Sequence, residues 1–398
     1  MFHFIVLIIS KMHGLVRFVW FDIFLEKIVD IVVLMRIFGS WDDYSVKYPL
    51  KYLNFDPAKK FIMRPEDFLR KMAIVLKSPS STQKGLILLA YNYSFPVFSL
   101  IFNLDKVLKK YNLVLEPSTN RLFMPEILIY KGTHHKIYVQ TNEHRDMNFL
   151  NRYIKNCVAV PTAANWWVDT RIFKPDTCAK KDFDIIMVSS WLKLKRHTLL
   201  FEALKKLKGK GIILKCCLVG YPLDLNLEDI KSLARKYDIE DQLTTYEKIK
   251  QSEIADLYRR SKINLLLSKR EGSNRTLIEG GFCGTPFMIR EGFNFGQKYN
   301  YLNSYTGRTF KDKSLDQDIM HMLENIHSYK PYEYFKKGDV SPYAATRLME
   351  EIVYGSDDNL ISMKVSGLGG MHYLHPEDEA KFEDDYLSLL AMVRNELH

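Results

Sequence analysis

Short runs of apolar residues recur along the chain, separated by stretches whose apolar residues are spaced as on one face of a helix. Runs of about four to eight residues are typical of buried strands. The first half contains such runs at Gly85–Ala90, Asn112–Leu115, Lys136–Gln140 and Cys157–Val160. Strands that alternate with helices form parallel α/β sheets. The pattern therefore predicts an open parallel sheet in the first half.

The second half shows the same alternation. Further strands are predicted at Asp184–Val188, Ile212–Val219, Leu243–Tyr246, Ile263–Leu267 and Phe287–Ile289. Between the first two, five apolar residues have the spacing of one helix face, namely Leu199, Leu200, Ala203, Leu204 and Leu207. The polar stretch Asp176–Asp182 is the predicted linker between two domains. After Lys311 the pattern predicts helices, of which the last extends from Glu377 to Leu397, and a glycine-rich turn at Ser366–Gly370.

The N-terminal stretch from Gly14 to Phe38 is apolar and aromatic but contains charged residues. Asp22, Glu26 and Asp30 are four residues apart, so they form one polar stripe on a predicted helix. Two alternatives are equally supported, a helix packed on its own domain and an interfacial helix resting on a membrane. The preceding apolar run, Phe2–Ser10, is too short to cross a bilayer.

Length and composition narrow the class of protein. The chain has 398 residues, which suggests two domains, and a formal net charge of +10. The Lys and Arg residues are spread along the sequence with no nucleic-acid-binding signature, so an anionic substrate and a membrane surface are the expected partners. The five cysteines have no spacing pattern, which favours free thiols in a reducing cytoplasm. The sequence contains no metal-binding motif.

The most informative stretch is Ser268–Arg290, which follows a predicted strand. Glu271 lies in the loop after the strand, and Glu279 lies seven intervening residues later on a short helix predicted to begin near Asn274. The first amides of a helix have no partner within the helix and bind phosphate groups. A carboxylate is a usual partner for the ribose hydroxyls of a nucleotide.

The string E-G-S-N-R-T-L-I-E-G-G-F-C-G-T-P-F, which starts at Glu271, resembles the E-x7-E signature of retaining glycosyltransferases of family 4, among the glycosyl transferases group 1. It departs from the signature at Gly280, where alanine is usual, and at Gly281–Cys283. The resemblance implies that Glu271 faces the donor sugar and that Glu279 binds the ribose. It implies further donor-binding residues in the loop, namely Gly272, Ser273, Asn274, Arg275 and Thr276.

A second group of residues resembles the diphosphate-binding part of that family. There, the exit of the first strand of the nucleotide domain has an Arg and a Lys that neutralise the donor diphosphate. Lys195 aligns with the Lys, whereas the position of the Arg is occupied by Ser190, so Lys193 or Arg196 is expected to replace it. Gly220 ends the next strand, where the family's backbone approaches the nucleotide, but the family's second glycine is missing here.

The acceptor side is assigned from topology. Ligands bind beyond the carboxyl ends of the strands in open parallel sheets. His144 lies in the loop that leaves the Lys136–Gln140 strand. An imidazole there would orient the acceptor hydroxyl or take its proton near neutral pH. The alternative is that His144 is an ordinary loop residue.

The resemblance implies an α/β fold with two Rossmann-like domains facing each other across a cleft, the B-type glycosyltransferase fold. The expected divisions are an acceptor-side domain at 1–178, a nucleotide-sugar-binding domain at 179–330, and C-terminal helices at 331–398, the last returning to the first domain.

The function that the resemblance implies is transfer of a hexosyl group, with retention and without metal or cofactor, from a nucleotide-diphosphate sugar. The expected acceptor is a glycan, a glycolipid or another lipid-linked group, in surface polysaccharide or glycoconjugate biosynthesis. The expected location is the cytoplasm, at the inner face of the membrane if the N-terminal helix contacts it. The alternatives are an inactive binding or scaffold protein of the same fold and a nucleotide-sugar epimerase or phosphorylase.

Overall fold

The computed structural model describes residues 48–117, 125–141, 144–268, 271, 273–291, 301–337, 340–355, 364–367 and 370–394. These residues divide into two compact units. Unit 1 contains the described residues up to Trp167 and from Pro342 onward, and unit 2 contains those from Val168 to Ser341. The division therefore precedes the predicted linker Asp176–Asp182. The predicted N-terminal helix lies outside the described residues.

Unit 1 begins with helices α1 (Asp56–Met63) and α2 (Pro65–Met72), followed by strand β1 (Ala73–Lys77). A proline lies in the first turn of each helix, where its missing N–H removes no helical hydrogen bond. The sequence pattern did not predict these three elements. β1 follows α2 directly, so no glycine or proline marks the boundary between helix and strand.

The other strands of unit 1 follow the predicted runs closely. They are β2 (Gly85–Ala90), β3 (Tyr111–Glu116), β4 (Ile137–Gln140) and β5 (Cys157–Val160). The connecting helices are α3 (Ser94–Ile101), α4 (Leu104–Lys110), α5 (Pro125–Leu128) and α6 (His144–Tyr153). The sheet order is β1-β2-β3-β4-β5, in which β1 is antiparallel to β2 and the remaining pairs are parallel.

Unit 2 is built on a six-stranded parallel sheet. Its strands are β6 (Phe183–Val188), β7 (Cys216–Gly220), β8 (Leu243–Glu247), β9 (Ser261–Leu266), β10 (Phe287–Arg290) and β11 (Gly307–Phe310). Its helices are α7 (His197–Lys208), α8 (Leu227–Lys236), α9 (Gln251–Arg259), α10 (Thr276–Phe282), α11 (Leu315–Glu324) and α12 (Pro331–Lys336). The sheet order is β11-β10-β9-β6-β7-β8. The α/β architecture with parallel sheets predicted from the sequence is thus confirmed.

The C-terminal part of the chain returns to unit 1. It comprises α13 (Pro342–Tyr354), a hairpin of β12 (Lys364–Gly367) and β13 (Gly370–Tyr373), α14 (Asp378–Lys381) and α15 (Glu383–Leu390). The Asp385 carboxylate accepts hydrogen bonds from Tyr111 Oη (2.5 Å) and Ser78 Oγ (2.5 Å), which attaches α15 to unit 1.

One expectation for this region was wrong. The predicted long helix Glu377–Leu397 is two short helices, interrupted at Phe382, whose ring stacks on Tyr373 with centroids 5.5 Å apart. The predicted glycine-rich turn at Ser366–Gly370 lies where β12 and β13 join as an antiparallel pair, with Gly367 opposite Gly370. Within the described ranges, none of the helices has the length and apolarity needed to span a membrane.

Candidate active site

The sheet order of unit 2 defines one point where ligands are expected. β6 and β9 are central neighbours, and the chain continues from β6 toward β7 and β8 but from β9 toward β10 and β11. Where strand order reverses in this way, the loops at the carboxyl ends separate and leave a crevice. The loop after β6 contains Lys195, and the loop after β9 contains Glu271. The two loops that were assigned donor contacts therefore flank the same crevice.

Lys195 and Glu271 contact each other there, although they are 76 residues apart in the sequence. Lys195 Nζ donates to Glu271 Oε1, and the two side chains are only 13% and 10% exposed. Ser268 Oγ also donates to the Glu271 carboxylate. The two residues predicted to act on the leaving group and on the sugar are thus brought together at the carboxyl edge of β6 and β9.

Arg196 has a different environment. Its Nε donates to the Leu267 carbonyl oxygen (2.6 Å), and its two terminal nitrogens donate to the Asp312 carboxylate (2.6 and 2.9 Å). Its backbone is left-handed (φ 59°), an unfavourable conformation for a residue other than glycine. These bonds join the β6 exit loop to the end of β9. The predicted contact of Arg196 with the diphosphate stays a prediction.

Lys193 is the better candidate for the second cation of this loop. It lies on the same 3-10 turn as Lys195 (Lys193–Lys195), is exposed, and forms no ion pair with any residue that the structure describes. Ser190, at the position of the family's Arg, is buried.

Glu279 lies on α10 and is 7% exposed. Burial raises the pKa of its carboxyl group, and the neighbouring guanidinium of Arg275 opposes that rise. Close by, Thr276 Oγ1 donates to Asn274 Oδ1 (2.7 Å), and the Thr276 carbonyl accepts from Asn264 Nδ2 (2.8 Å). The start of α10 is therefore held by side chains from β9 and from its own loop.

Two glycines of α10 depart from the family signature for reasons that the packing explains. A Cβ at Gly280 would lie 2.7 Å from Asn264 Nδ2, and one at Gly281 would lie 2.0 Å from the Phe335 ring. Phe335 on α12 is itself buried. A side chain at either position would therefore collide with its neighbours, which accounts for glycine at both.

Gly220 also lies against a large side chain. A Cβ there would be 2.2 Å from Trp191 Nε1 and 2.5 Å from the Ser189 carbonyl oxygen. Trp191 is fully buried at the exit of β6. The glycine at the end of β7 is therefore required by packing between two strand exits. Its predicted contact with the nucleotide stays a prediction.

The remaining predicted residues are only partly described. Gly272 lies outside the described residues, as does the side chain of His144, which begins α6 after β4. Ser273 and Arg275 lie in the loop before α10. In the part of the chain that the structure describes, no group of three or more His, Cys, Asp or Glu side chains has an arrangement that could hold a metal ion.

His197 is a residue of this region that the sequence analysis did not single out. It is 3% exposed at the start of α7, and its Nε2 lies 3.3 Å from Ser189 Oγ. Burial, and secondarily the charge of Lys195, lowers its pKa from the ordinary value of 6.5 to about 4. Its burial arises from tertiary packing, so no local pattern could have revealed it.

This pKa predicts acid sensitivity of unit 2. Because the folded state binds a proton at His197 less readily than the unfolded state, stability falls as pH decreases from about 6.5 to about 4, by up to roughly 3 kcal/mol. In urea unfolding at pH 7.5, 6.0, 5.0 and 4.5, His197→Leu should show a shallower decline than the parent. His327→Gln, at an exposed position, should follow the parent. If the free energy of unfolding fell equally with pH in all three proteins, the lowered pKa of His197 would be contradicted.

Comparison with known proteins found one family model and several similar structures. Residues 168–337 match the family model described as Glycosyl transferases group 1. No curated protein matches the chain. Among solved structures, sucrose-phosphate synthase from Thermosynechococcus elongatus is 15% identical, with a TM-score of 0.54 over 76% of this chain and 78% of that one.

Two further solved structures are similar. HepE from Anabaena, in complex with UDP, is 11% identical, with a TM-score of 0.52 over 75% of this chain and 82% of that one. A variant of TarM from S. aureus, in complex with fondaparinux, alpha-GlcNAc-glycerol and UDP, is 14% identical, with a TM-score of 0.50 over 66% and 54% of the two chains. At these identities the likeness establishes the fold.

The fold is thus the B-type fold of glycosyltransferases. The residues matched by the glycosyl transferases group 1 model, 168–337, lie within unit 2. Both residue groups that the sequence analysis assigned to the donor lie within it.

Proposed function

We propose that the protein is a retaining, metal-independent glycosyltransferase of family 4 that moves a hexosyl group from a nucleotide-diphosphate sugar to a glycan or lipid-linked acceptor in polysaccharide biosynthesis. The observation that best supports this is the contact of Lys195 with Glu271 at the strand-order reversal of a group 1 glycosyltransferase domain. This contact places a buried cation beside a buried carboxylate, at the position proposed for the bond between the diphosphate and the sugar of the donor.

In the proposed reaction, the bond between the sugar C1 and the β-phosphate oxygen breaks, and both electrons leave with the nucleoside diphosphate. The acceptor hydroxyl oxygen bonds to C1 from the same face, and its proton passes to the departing phosphate. Fixed cations stabilise the charge that grows on that phosphate. Lys195 is buried enough to do so without competition from water, and Lys193 is the second cation. Glu271 orients the sugar through its hydroxyl groups.

The proposal places the donor ribose on Glu279. Glu279→Ala is expected to weaken nucleotide binding by about 1–3 kcal/mol, because charge-assisted hydrogen bonds to the ribose hydroxyls are lost. Isothermal titration of the nucleoside diphosphate measures this. Glu324→Ala, on the exposed end of α11, is the matched control and should bind as the parent does. Equal affinities for the parent and Glu279→Ala would refute the ribose role.

The proposal also predicts that catalysis needs no divalent ion. Since lysine side chains would neutralise the diphosphate, transfer rates with and without EDTA should agree within about two-fold. An enzyme that relies on a metal ion for this charge would lose several kcal/mol of transition-state stabilisation in EDTA. Complete loss of activity in EDTA that is restored by Mg²⁺ or Mn²⁺ would overturn this part of the proposal.

The experiment that tests the function begins with nucleotide sugars of different bases and hexoses, screened by thermal stabilisation. Donors that bind are then incubated with and without saccharide and lipid-linked acceptors, and the anomeric configuration of the product is determined by NMR. Transfer with retention supports the proposal. Binding without turnover would indicate an inactive binding protein, and an altered or phosphorolysed sugar without transfer would indicate an epimerase or phosphorylase.

We propose a cytoplasmic location, at the inner face of the membrane where a lipid-linked acceptor is used. The thiols of Cys157, Cys178, Cys216, Cys217 and Cys283 are all free. Free thiols, mostly buried, suit a reducing compartment. Membrane contact through the N-terminal helix stays a prediction.

A further inference from the structure

Unit 1 contains a cavity of about 780 Å³. Its walls include the last turn of α3, the first turn of α4, residues 129–134 before β4 and the segment that follows α15. Sites for small organic molecules have volumes of about 300–1,000 Å³. Lys195, Glu271 and Glu279 belong to unit 2, so the cavity is distinct from the candidate donor site. Because residues 129–134 precede β4, it also lies away from the carboxyl end of that strand, where an acceptor is expected.

The segment after α15 is held against the bend between α3 and α4. The N–H of Arg394 donates to the Ile101 carbonyl oxygen (2.9 Å), and its Nε donates to that of Phe102 (3.2 Å). Asn103 begins α4, since its Oδ1 accepts from the N–H of Lys106 (3.1 Å). These bonds bring the side chains of Arg394, Asn103 and Lys106 to the wall of one cavity, although Arg394 is distant from them in the sequence.

Residues 129–134 form another wall. Tyr130 Oη donates to the Phe95 carbonyl oxygen (2.7 Å), which attaches this stretch to α3. Thr133 Oγ1 accepts from Asn156 Nδ2 (3.0 Å), which fixes the turn that precedes β4. The next residue, His134, is exposed and lines the cavity. The walls therefore belong to segments that are bonded to one another, and the cavity is a fixed feature of unit 1.

The polar groups that remain available at these walls are mostly hydrogen-bond donors. Lys106 and Arg394 form no ion pair with any residue that the structure describes, and within those residues the amide nitrogen of Asn103 has no partner. Asp105 is the only acidic side chain among the described residues that line the cavity. A ligand that satisfies several donors must bring several acceptor atoms, and the two cations favour one with negative charge.

The other part of the wall is apolar. It is formed by the side chains of Leu50, Leu100, Leu104, Ile129 and Val393. Leu50 is 46% exposed, which leaves a large apolar side chain available for contact. A free inorganic anion would leave these side chains uncovered, whereas an anionic group attached to an apolar body would cover them and gain from their burial.

We propose that this cavity binds an organic phosphate, that is, a phosphate monoester on an apolar or partly apolar body. Arg394, Lys106 and the Asn103 amide donate to the phosphate oxygens, of which a monoester offers three that are free to accept. Such a ligand would connect the segment after α15 to the bend between α3 and α4, and would stabilise unit 1 by mass action. A phosphorylated metabolite and the headgroup of a lipid phosphate share this chemistry.

The test titrates phenyl phosphate and dihexanoyl phosphatidic acid into the full-length protein, with calorimetry and the Tm as readouts. Lys106→Met and Arg394→Met are each expected to weaken binding of both ligands about ten-fold, because a charge-assisted hydrogen bond is lost. Lys106 is exposed, so its replacement should not lower the Tm of the unliganded protein. Lys109→Met is the matched control, since Lys109 is exposed on the same helix but does not line the cavity, and it should bind as the parent does.

Two further variants test the charge and the apolar wall separately. Asp105→Asn is expected to strengthen binding about two- to three-fold, because it removes a negative charge near the phosphate. Leu50→Ser should weaken binding of phenyl phosphate about three-fold and leave the weaker binding of inorganic phosphate unchanged. Tighter binding of phenyl phosphate would identify a phosphorylated metabolite as the source of the ligand, and tighter binding of the phosphatidic acid would identify a lipid.

Because the candidate donor site also binds phosphate groups, the titrations are repeated on Lys195→Met. Binding that persists in this variant and falls in Lys106→Met supports the inference. It is overturned if neither ligand binds the parent, if Lys106→Met and Arg394→Met both bind as the parent does, or if binding is lost only in Lys195→Met. None of these outcomes bears on the proposed function, which is tested by sugar transfer.

Discussion

Replacing Lys195 by methionine is expected to lower the kcat of sugar transfer by about 10²–10³-fold, the usual effect of removing one preorganised group that stabilises transition-state charge. The KM for the donor should change much less, because the charge on the leaving phosphate is fully developed only in the transition state. Steady-state kinetics with a donor identified by the thermal-shift screen measures both constants. Lys205→Met, an exposed lysine on the adjoining helix α7, should retain parental activity.

The temperature of the assay separates catalysis from stability. Lys195→Met leaves the largely buried Glu271 without its cation, which also destabilises unit 2. Transfer by Lys195→Met is therefore measured at a temperature well below the Tm of this variant, where it is fully folded, and should still be low. A parental kcat under these conditions would show that Lys195 is only structural.

The second large effect is expected in unit 1. Lys364→Met should reduce the free energy of unfolding by about 3–5 kcal/mol, because it leaves the Glu116 carboxylate buried and unpaired. Equilibrium unfolding in urea gives this value. Lys59→Met is the surface control, since Lys59 and its partner Asp56 are 52% and 90% exposed, and it should change stability by less than about 1 kcal/mol.

A double variant tests the origin of that loss. Lys364→Met combined with Glu116→Leu removes both charges, so most of the lost stability should return, because apolar pairs of similar volume replace buried ion pairs at little cost. If the double variant were less stable than Lys364→Met alone, the lysine would stabilise unit 1 through packing rather than through its charge.

Local sequence determined most of the secondary structure. An apolar run of strand length is stable when both of its faces are covered, and Gly85–Ala90, which is buried throughout, is the clearest example. The prediction failed where no local boundary existed, as between α2 and β1. It also failed at Phe382, which interrupts the predicted last helix and carries no proline or glycine signal.

Candidate donor residues were also predicted from the sequence, through the spacing of Glu271 and Glu279 and the position of Lys195. Only the tertiary structure decided which of these residues contact each other. Whether Lys195 contacts Glu271 depends on β6 lying beside β9, and strand order is not encoded in the periodicity of either strand.

Two other ion pairs could not be predicted from the sequence either. Arg196 pairs with Asp312, and Lys364 of the C-terminal hairpin pairs with Glu116. Each is an ordinary basic residue in its local sequence. Burial and the ion-pair partner distinguish each of them, and both depend on the tertiary structure. The physical reason is that the free energy of a charged group depends on its solvation and on nearby charges rather than on adjacent residues in the sequence.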